Sequence, residues 1–373
     1  METRQITVIQ AAAVLVSTII GVGVLALPLF AVRAADSGGP LVTFLAMMLA
    51  FVGLSLIARL GMRFPDETII RYSEKIIGKW LAWIGSVFII LFFAVLTSLT
   101  AREFGEVVVT SVLKSTPVEV TVIAMLLLAA ISTRHGITTF AHIHTFYFPF
   151  LLVPVLVIAA LALKNAEAIN LLPIWGNEPG GMIKGTLTIA ALFQGAFVLT
   201  AVIPSMKHPG KAMKASFWGM LIAGGLYVII VAATISVFGS EEIKKLLWPT
   251  LELAKATSLP ANILERMDAA FLAVWVTAVF TTLFSSYFFT IYSMSHLFRL
   301  KEHKLFSYFI LPFVFVMAMV PQNIIQMYEI IENVGRIGLI ITIAYPGLLL
   351  IVSILRKKRG KPVADNKNVD QNH

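Results

Sequence analysis

Hydrophobic positions along this chain form long runs rather than the short amphipathic patterns of a soluble protein. Polar and helix-breaking residues divide the runs into ten apolar segments, at about 7–31, 40–61, 80–112, 117–133, 139–163, 184–205, 212–238, 266–296, 304–321 and 332–355. A helix needs roughly 20 apolar residues to cross a hydrocarbon core about 30 Å thick. The pattern therefore predicts an all-α polytopic membrane protein with about ten transmembrane helices.

Segments one and six are each interrupted. Segment one carries Gly21 and Gly23 and then meets Pro28, and segment six carries Gly195 and then meets Pro204. In a membrane, unwound backbone is tolerated only where it is buried by protein or lines a cavity. Corresponding interruptions in two halves of a chain indicate a ligand site near the bilayer midplane.

The position of the two interruptions also predicts the internal organisation. Cutting after segment five divides a single transmembrane domain, residues 1–355, into repeat one (about 7–163) and repeat two (about 184–355). Because five is odd, the second half enters from the opposite face, which predicts a 5+5 inverted repeat with helices 1 and 6 broken. The halves show no convincing residue-level identity, so this prediction rests on the pattern alone.

Composition agrees with the membrane assignment and narrows the chemistry. Hydrophobic residues make up 58% of the chain, charged residues 13%, and the mean hydropathy is +0.88. The absence of cysteine excludes disulfides, thiol nucleophiles and cysteine metal ligands. No Ser/His/Asp order, phosphate loop or carboxylate pair indicates catalysis. We therefore expect no enzyme activity, no catalytic residues, no cofactor and no metal site.

The net charge of +9 reflects topology rather than nucleic-acid binding. With the N-terminus inside, the inside loops hold more than twice as many Lys and Arg as the outside loops. This asymmetry predicts that both termini are cytoplasmic. The first segment is too long for a signal-peptide core and is expected to remain as a helix. The tail 356–373 is basic and then polar, which is typical of disorder.

Two loops and one pair of histidines also carry structural predictions. Residues 63–79 are predicted to form a short amphipathic helix on the cytoplasmic face, and the outside loop 240–265 is expected along the membrane interface. His142 and His144 begin segment five. Residues two apart do not share a helix face, so a metal pair is not expected and both histidines are predicted to be solvated.

Several motifs resemble a known family. Gln5-Ile-Thr followed by Ile-Ile-Gly-Val-Gly-Val-Leu-Ala-Leu-Pro28 resembles the amino acid–polyamine–organocation permeases. The motif from Trp248 to Lys255, followed by Glu265, Arg266, Asp268 and Trp275, resembles the B subunit of spore germinant receptors in the endospore germination permease family. The loop from Phe64-Pro65 to Ile77-Gly78-Lys79 fits the same family. The resemblance covers nearly the whole chain.

The resemblance implies a LeuT-like fold that senses a nutrient in the inner spore membrane, with both termini on the core side. It implies a larger A subunit and a C lipoprotein as partners, with membrane lipid around the helices and no nucleic acid. An amino acid is favoured as the ligand by superfamily analogy. In sodium-coupled relatives, hydroxyls at the depth of Ser285 and Ser286 help to hold the ion, so these two residues are a candidate cation-site remnant.

Unwinding at the two breaks frees backbone groups that can hold the carboxylate and ammonium of a small zwitterion. The predicted ligand-binding residues are Gly21, Val22, Gly23, Thr97, Phe193, Gln194, Gly195, Phe197, Thr282, Ser286 and Tyr287. Many permeases of the superfamily place an acidic or aromatic residue before the glycine of helix six. Gln194 stands there instead, which favours an uncharged or zwitterionic ligand.

Each of these assignments has a structural alternative. The glycines can serve close helix packing, and the serines and threonines can bond back to their own helix. Arg102 and Glu106, spaced i,i+4, form either an outer gate or a structural ion pair. Glu265, Arg266 and Asp268 can cap the eighth segment and dock the outside loop.

Three functional classes remain open from the sequence: a ligand-sensing receptor subunit, a proton- or sodium-coupled amino-acid permease, and a structural scaffold with a vestigial pocket. The motif in the outside loop and segment eight favours the receptor. Its ligand is expected to bind between segments one, three, six and eight, to shift a conformational equilibrium, and so to signal to a partner subunit.

Overall fold

The computed structural model describes residues 4–176, 179–257, 267–300 and 302–360. The α-helices are α1 (Val8–Ile19), α2 (Gly23–Ala35), α3 (Gly39–Arg63), α4 (Ile69–Ile77), α5 (Lys79–Ser111), α6 (Val118–Ser132), α7 (Ile137–Ala162), α8 (Met182–Ala190), α9 (Leu199–Val202), α10 (Ala212–Ile243), α11 (Pro249–Ala256), α12 (Met267–Leu297), α13 (Lys304–Phe309), α14 (Leu311–Ala318), α15 (Ile324–Leu339) and α16 (Tyr345–Leu355). Each of the ten predicted segments coincides with one of these helices or with a consecutive group of them.

Among the described residues, seven helical stretches are long and apolar enough to cross a membrane. One of them, Gly23–Arg63, joins α2 to α3 through the short turn Asp36–Gly38. Shorter apolar helices are Val8–Ile19, Val118–Ser132 and Lys304–Ala318. The prediction of an all-helical multi-pass membrane protein is therefore confirmed.

Segments one and six are interrupted where the sequence predicted. A capping box between Thr7 and Gln10 starts α1, which ends at Ile19, and the helix resumes as α2 only at Gly23. In segment six, α8 ends at Ala190 and tightens into a 3₁₀ stretch over 191–198 before the single turn of α9. Both breaks therefore fall within buried parts of the bundle.

The two interrupted segments cross the bundle in opposite directions. Ile6, just before α1, forms a β-bridge with Met206, just after α9. The bridge includes a 2.8 Å hydrogen bond from the Lys207 amide to the Ile6 carbonyl. The start of segment one thus lies beside the end of segment six. An inverted repeat requires this arrangement, although the repeat boundaries at about 7–163 and 184–355 stay a prediction.

Packing around the breaks joins segments one, six and eight and pairs segment three with eight, as expected, and it also involves segments five and seven. α1 packs against α7, α10, α12 and the 3₁₀ stretch 191–198, and α5 packs along α12. In the predicted cytoplasmic loop, α4 buries Ile69, Ile70, Tyr72 and Ile76. That buried face packs on α5 and α16.

The outside loop packs against the helix bundle through α11. Its helix α11 contacts α2, α7, α10 and α12 and buries Leu251, Leu253 and Ala254. The interfacial placement expected from the sequence stays a prediction. Glu265 and Arg266 of the family motif, and tail residues 361–373, lie outside the described residues, while Asp268 falls in the first turn of α12.

A candidate ligand cavity between the interrupted helices

A cavity lies between the two interruptions, bounded by segments one, three, six, seven, eight and ten. Six of the residues predicted from the sequence line it: Val22, Gly23, Gln194, Gly195, Thr282 and Ser286. The other lining residues include Thr18, Ile19, Phe30, Leu96, Leu99, Thr100, Glu103, Thr188, Ala191, Leu192, Tyr227, Ile331, Glu332, Val334 and Gly335. The breaks therefore share one cavity, as their position in the sequence predicts.

Side-chain hydroxyls cap the carbonyls that the first break frees. The three bonds run from Thr281 Oγ1 to the Ser17 carbonyl at 2.8 Å, from Thr282 Oγ1 to the Thr18 carbonyl at 3.0 Å, and from Tyr227 Oη to the Ile19 carbonyl at 2.6 Å. Buried carbonyls without a helical partner require such donors. These carbonyls, which were predicted from the sequence as acceptors for a ligand's ammonium group, thus already accept hydrogen bonds from the protein itself.

The amide groups on the other side of this break are different. Among the described hydrogen bonds, none uses the N–H of Gly21, Val22 or Gly23 as donor. These amides precede and begin α2, a helix of 13 residues whose N-terminus carries partial positive charge. Val22 and Gly23 line the cavity, so this end of the break can accept a carboxylate or another anion.

Glycine permits close approach at both breaks. A Cβ atom at Gly21 would lie 2.1 Å from Thr282 Oγ1, and one at Gly195 would lie 2.8 Å from Thr18 Cγ2. Across the cavity from segment one, Gln194 Nε2 donates to the Gly335 carbonyl at 2.5 Å. The glycines therefore serve helix packing and shape the cavity at the same time, and the two alternatives drawn from the sequence are compatible.

Five predicted ligand residues do not line the cavity. Gly21 lies against Thr282. Thr97 donates its hydroxyl back to the Phe93 carbonyl at 2.7 Å, and Tyr287 donates to the Ser307 carbonyl. Phe193 packs on Tyr227 with ring centroids 5.1 Å apart, and Phe197 packs on Phe289 at 5.6 Å. These five residues therefore do not form the wall of this cavity.

The sequence did not place Glu103 in the cavity wall. Glu103 is only 4% exposed, and its Oε1 accepts a 3.1 Å hydrogen bond from Tyr328 Oη. Trp248 Nε1 of the outside loop donates to Tyr328 Oη at 2.9 Å. A second acidic residue of the lining, Glu332, is paired with Arg336 at 2.6 Å. No local sequence signal could have found this arrangement, because its members lie far apart along the chain.

The candidate cation site contains an imidazole. Ser285 Oγ lies 2.6 Å from Thr18 Oγ1 and 3.0 Å from His144 Nε2, and His144 Nδ1 lies 2.6 Å from Ser17 Oγ. Ser286 instead donates to its own helix, to the Leu283 carbonyl at 3.1 Å. No group of three or more metal-ligating side chains occurs in the described ranges.

The prediction of solvated histidines holds for only one of the pair. His142 is exposed, whereas His144 is fully buried. His144 is also stacked between aromatic rings, with centroid distances of 4.4 Å to Phe140 and 5.6 Å to Phe284. The prediction is wrong for His144 because adjacent helices, which the sequence pattern does not show, cover its face of α7.

Arg102 and Glu106 form the predicted i,i+4 ion pair, with Arg102 Nη2 and Glu106 Oε1 2.7 Å apart. Neither residue lines the cavity. Arg102 is 6% exposed and its Nη1 also approaches Met319 Sδ at 3.9 Å. The ion pair is therefore present, and the choice between an outer gate and a structural pair stays a prediction.

The outside loop is tied to the end of the first interrupted segment, just after α2. Lys244 Nζ lies 2.7 Å from Asp36 Oδ1 and 2.6 Å from Glu241 Oε1. Hydrogen bonds to Asp36 and then to Glu241 raise the pKa of the Lys244 ammonium above its ordinary value. A raised lysine pKa keeps the group charged through the neutral range, so both contacts persist there.

Trp275 of the family motif is buried in α12 and stacks on Phe104 at a centroid distance of 6.0 Å. Its indole N–H has no hydrogen-bond partner within the described part of the chain. The contact places Trp275 beside the segment that carries Glu103 and anchors α12 to α5.

Comparison with known proteins shows which family this chain belongs to. A family model described as "Spore germination protein" matches residues 5–327. Spore germination protein YndE of Bacillus subtilis (strain 168) is 28% identical over 360 residues, covering 96% of this chain and 99% of that protein. Spore germination protein B2 of the same organism is 23% identical, covering 96% and 98%.

Solved structures of similar shape are transporters. Mhp1, a nucleobase-cation-symport-1 family transporter in a closed conformation with bromovinylhydantoin bound, aligns with a TM-score of 0.65 and 15% identity over 95% of this chain and 79% of its own. MhsT in complex with L-phenylalanine aligns with a TM-score of 0.67 and 12% identity, covering 94% and 89%. At such identities the likeness shows the fold alone, and it confirms the predicted LeuT-like fold.

Proposed function

Because the chain belongs to the spore germination protein family, we propose that it is the ligand-sensing membrane subunit of a spore nutrient germinant receptor. The observation that carries the proposal is the shared cavity at the two helix interruptions, lined by Gly23, Gly195 and Thr282. A concave cavity with a few polar groups on an apolar wall is the usual form of a small-molecule site.

A small amino acid is the ligand that this cavity suits best. The unpaired amides at the start of α2 can receive a carboxylate, and Val22, Gly23, Gln194, Gly195, Thr282 and Ser286 surround that position. The similar structure of MhsT is described in complex with L-phenylalanine, which supports an amino acid here by analogy of fold.

The proposal includes partners and a location. Relatives of this chain carry the names spore germination protein A2 and B2, which supports a receptor built from several kinds of subunit. We assign the chain to the inner spore membrane, with both termini on the core side, in contact with an A subunit and a C lipoprotein. The exposed apolar faces of its helices contact lipid or these partners.

Ligand binding can be signalled to a partner subunit because the two interrupted segments pack against each other. Ligand bound at the α2 amides and against Gln194 contacts both interrupted segments at once. A ligand shifts a conformational equilibrium only by its difference in affinity between the two states. Because the interruptions meet at Gly195 and Thr18, a small movement of one segment changes the packing of the other, and the surface offered to the partner subunit changes with it.

The proposal is tested in spores of the endospore-forming host. Deleting the gene is expected to remove the germination response to at least one nutrient from a panel of amino acids, glucose and inosine. In a complemented strain, Gly195→Leu is expected to abolish that response at unchanged protein level, because its side chain would overlap Thr18. Gly225→Leu is the matched control, since a Cβ atom there meets nothing within 4 Å. A normal response in the deletion strain to every nutrient contradicts the proposal.

The second candidate function is an amino-acid permease, which the transporter fold favours. The two functions require the same cavity, but only a permease moves the amino acid across the membrane. Uptake of radiolabelled amino acids into vesicles that contain only this chain, dependent on a proton or sodium gradient, would support the permease. Binding without uptake supports the receptor.

A further inference from the structure

We propose that Glu103 is the residue that selects the ligand, by binding a positively charged amino group, and that the ligand is therefore an amino acid or a related amine. This inference rests on the proposed ligand-sensing function and names its ligand class. Sugars and nucleosides, which carry no ammonium group, are excluded by it.

The backbone at the first break does not supply a charged acceptor for an ammonium group. The carbonyls of Ser17, Thr18 and Ile19 carry no formal charge, and each already accepts a hydroxyl proton from α12 or α10. An ammonium brought into the cavity would lose its water shell, and desolvated cations require strong acceptors or a counter-charge. The acceptor must then come from a side chain of the cavity wall.

Glu103 is the suitable side chain in that wall. It lines the cavity, and across the described ranges it takes part in no ion pair. Its neighbour Arg102 is occupied by Glu106. The other acidic lining residue, Glu332, is neutralised by Arg336. A buried carboxylate without a cation is costly unless its site is completed by one, and the ammonium of a ligand completes this site.

The hydrogen bonds behind Glu103 hold it as an acceptor. The Trp248 indole can only donate, and it donates to Tyr328 Oη. The proton of the Tyr328 hydroxyl is thereby directed toward Glu103 Oε1. This fixed donor leaves Glu103 Oε2 for the ligand, and it links the cavity to the Trp248 motif of the outside loop. Tyr328 and Trp248 are positioning residues.

Complementary charge in the cavity wall defines an amino acid more fully than either charged group alone. The α2 amides present positive partial charge for a carboxylate, and Glu103 presents negative charge for an ammonium. The same wall includes the apolar side chains of Phe30, Leu96 and Leu99. An α-amino acid with a small apolar side chain matches this arrangement.

The test measures equilibrium binding of a ¹⁴C-labelled mixture of the common amino acids to the purified full chain in detergent. We expect wild-type protein to bind the label, and Glu103→Gln to weaken binding roughly ten- to a hundredfold, as for loss of a charged hydrogen bond. Exposed Glu329→Gln on α15 is the matched control and should bind as wild type. Glu103→Asp, which keeps the charge, should bind better than Glu103→Gln.

Competition separates charge recognition from a structural role of Glu103. The corresponding 2-hydroxy acids, which replace the amino group by hydroxyl, should fail to displace the label from wild-type protein, whereas unlabelled amino acids displace it. Tyr328→Phe keeps the ring and the charge but removes the fixed donor, so it should weaken binding less than Glu103→Gln does. Size-exclusion profiles show whether each variant is folded.

Three results overturn the inference: wild-type affinity in folded Glu103→Gln, equal competition by the 2-hydroxy acids, or no binding of any labelled amino acid to wild-type protein. The proposed receptor function is tested separately by the deletion strain. If that strain loses its response to glucose or inosine while the purified chain binds no amino acid, the receptor function stands and the assignment of Glu103 fails.

Discussion

Thr250 Oγ1 donates a 2.7 Å hydrogen bond to the carbonyl of Val24. Val24 lies four residues before Pro28, and proline has no amide hydrogen, so α2 cannot satisfy this carbonyl itself. The outside loop supplies the missing donor from α11. Pro28 therefore does more than end a turn of helix: it exposes the acceptor through which the loop is attached to the first interrupted segment.

We predict that Thr250→Val loosens this attachment. Valine keeps the shape of threonine but leaves the buried Val24 carbonyl without a donor, which costs about 1–3 kcal/mol. The expected result is a lower thermal unfolding midpoint of the purified protein and faster proteolysis of the outside loop. Thr257→Val is the control, because the Thr257 hydroxyl donates to the Ala254 carbonyl within the same turn of chain and does not join α11 to another segment among the described hydrogen bonds. Equal effects of both variants would contradict a specific role for the Thr250 contact.

His144 is expected to be important for stability although His142 is not. Replacing His144 by Ala removes a buried ring and its hydrogen bonds to Ser17 and Ser285, which together lower the free energy of unfolding by about 2–4 kcal/mol. His142→Ala, two residues away on the exposed face, should change it by less than about 0.5 kcal/mol. Thermal unfolding in detergent measures both, and similar midpoints for the two variants would refute the buried bridge.

Gly21→Ala is expected to disturb the first break. The added Cβ atom would lie 2.1 Å from Thr282 Oγ1, so Thr282 must move and lose its bond to the Thr18 carbonyl. Overpacking of this kind costs about 1–3 kcal/mol. Gly225→Ala on α10 meets open space and should be neutral. The comparison is made by thermal unfolding and by amino-acid binding, and an unchanged Gly21→Ala protein would show that the breaks are not packed this closely.

The cytoplasmic assignment of the termini predicts a labelling pattern across α6. The chain has no native cysteine, so single cysteines can be introduced without background. Lys114→Cys and Arg134→Cys lie at exposed positions on opposite ends of α6. In intact cells that express the chain, a membrane-impermeant maleimide should label position 114 and not 134, with both labelled after permeabilisation. The reverse pattern would place the termini outside.

Part of the site is predictable because its causes are local. The Arg102–Glu106 pair follows from a spacing of four on one helix. The position of Gln194 and Gly195 in the cavity wall was predictable, because a glycine at the middle of an apolar segment marks the helix break in the sequence itself. The ligand role assigned to Thr97 and Tyr287 had no such basis, since the sequence pattern does not define which face of a long apolar helix turns toward the cavity.

The amino-acid sequence by itself determined the membrane class, the position of each helical segment and the two interruptions. These depend on apolar run length and on glycine and proline, whose effects act within a few residues. Only the tertiary structure decided which polar groups meet. Glu103 reaches Tyr328 across 225 positions, Thr250 reaches Val24 across 226, and His144 joins Ser17 to Ser285. In an almost uniformly apolar chain such pairings have no periodic pattern, because they are set by helix packing.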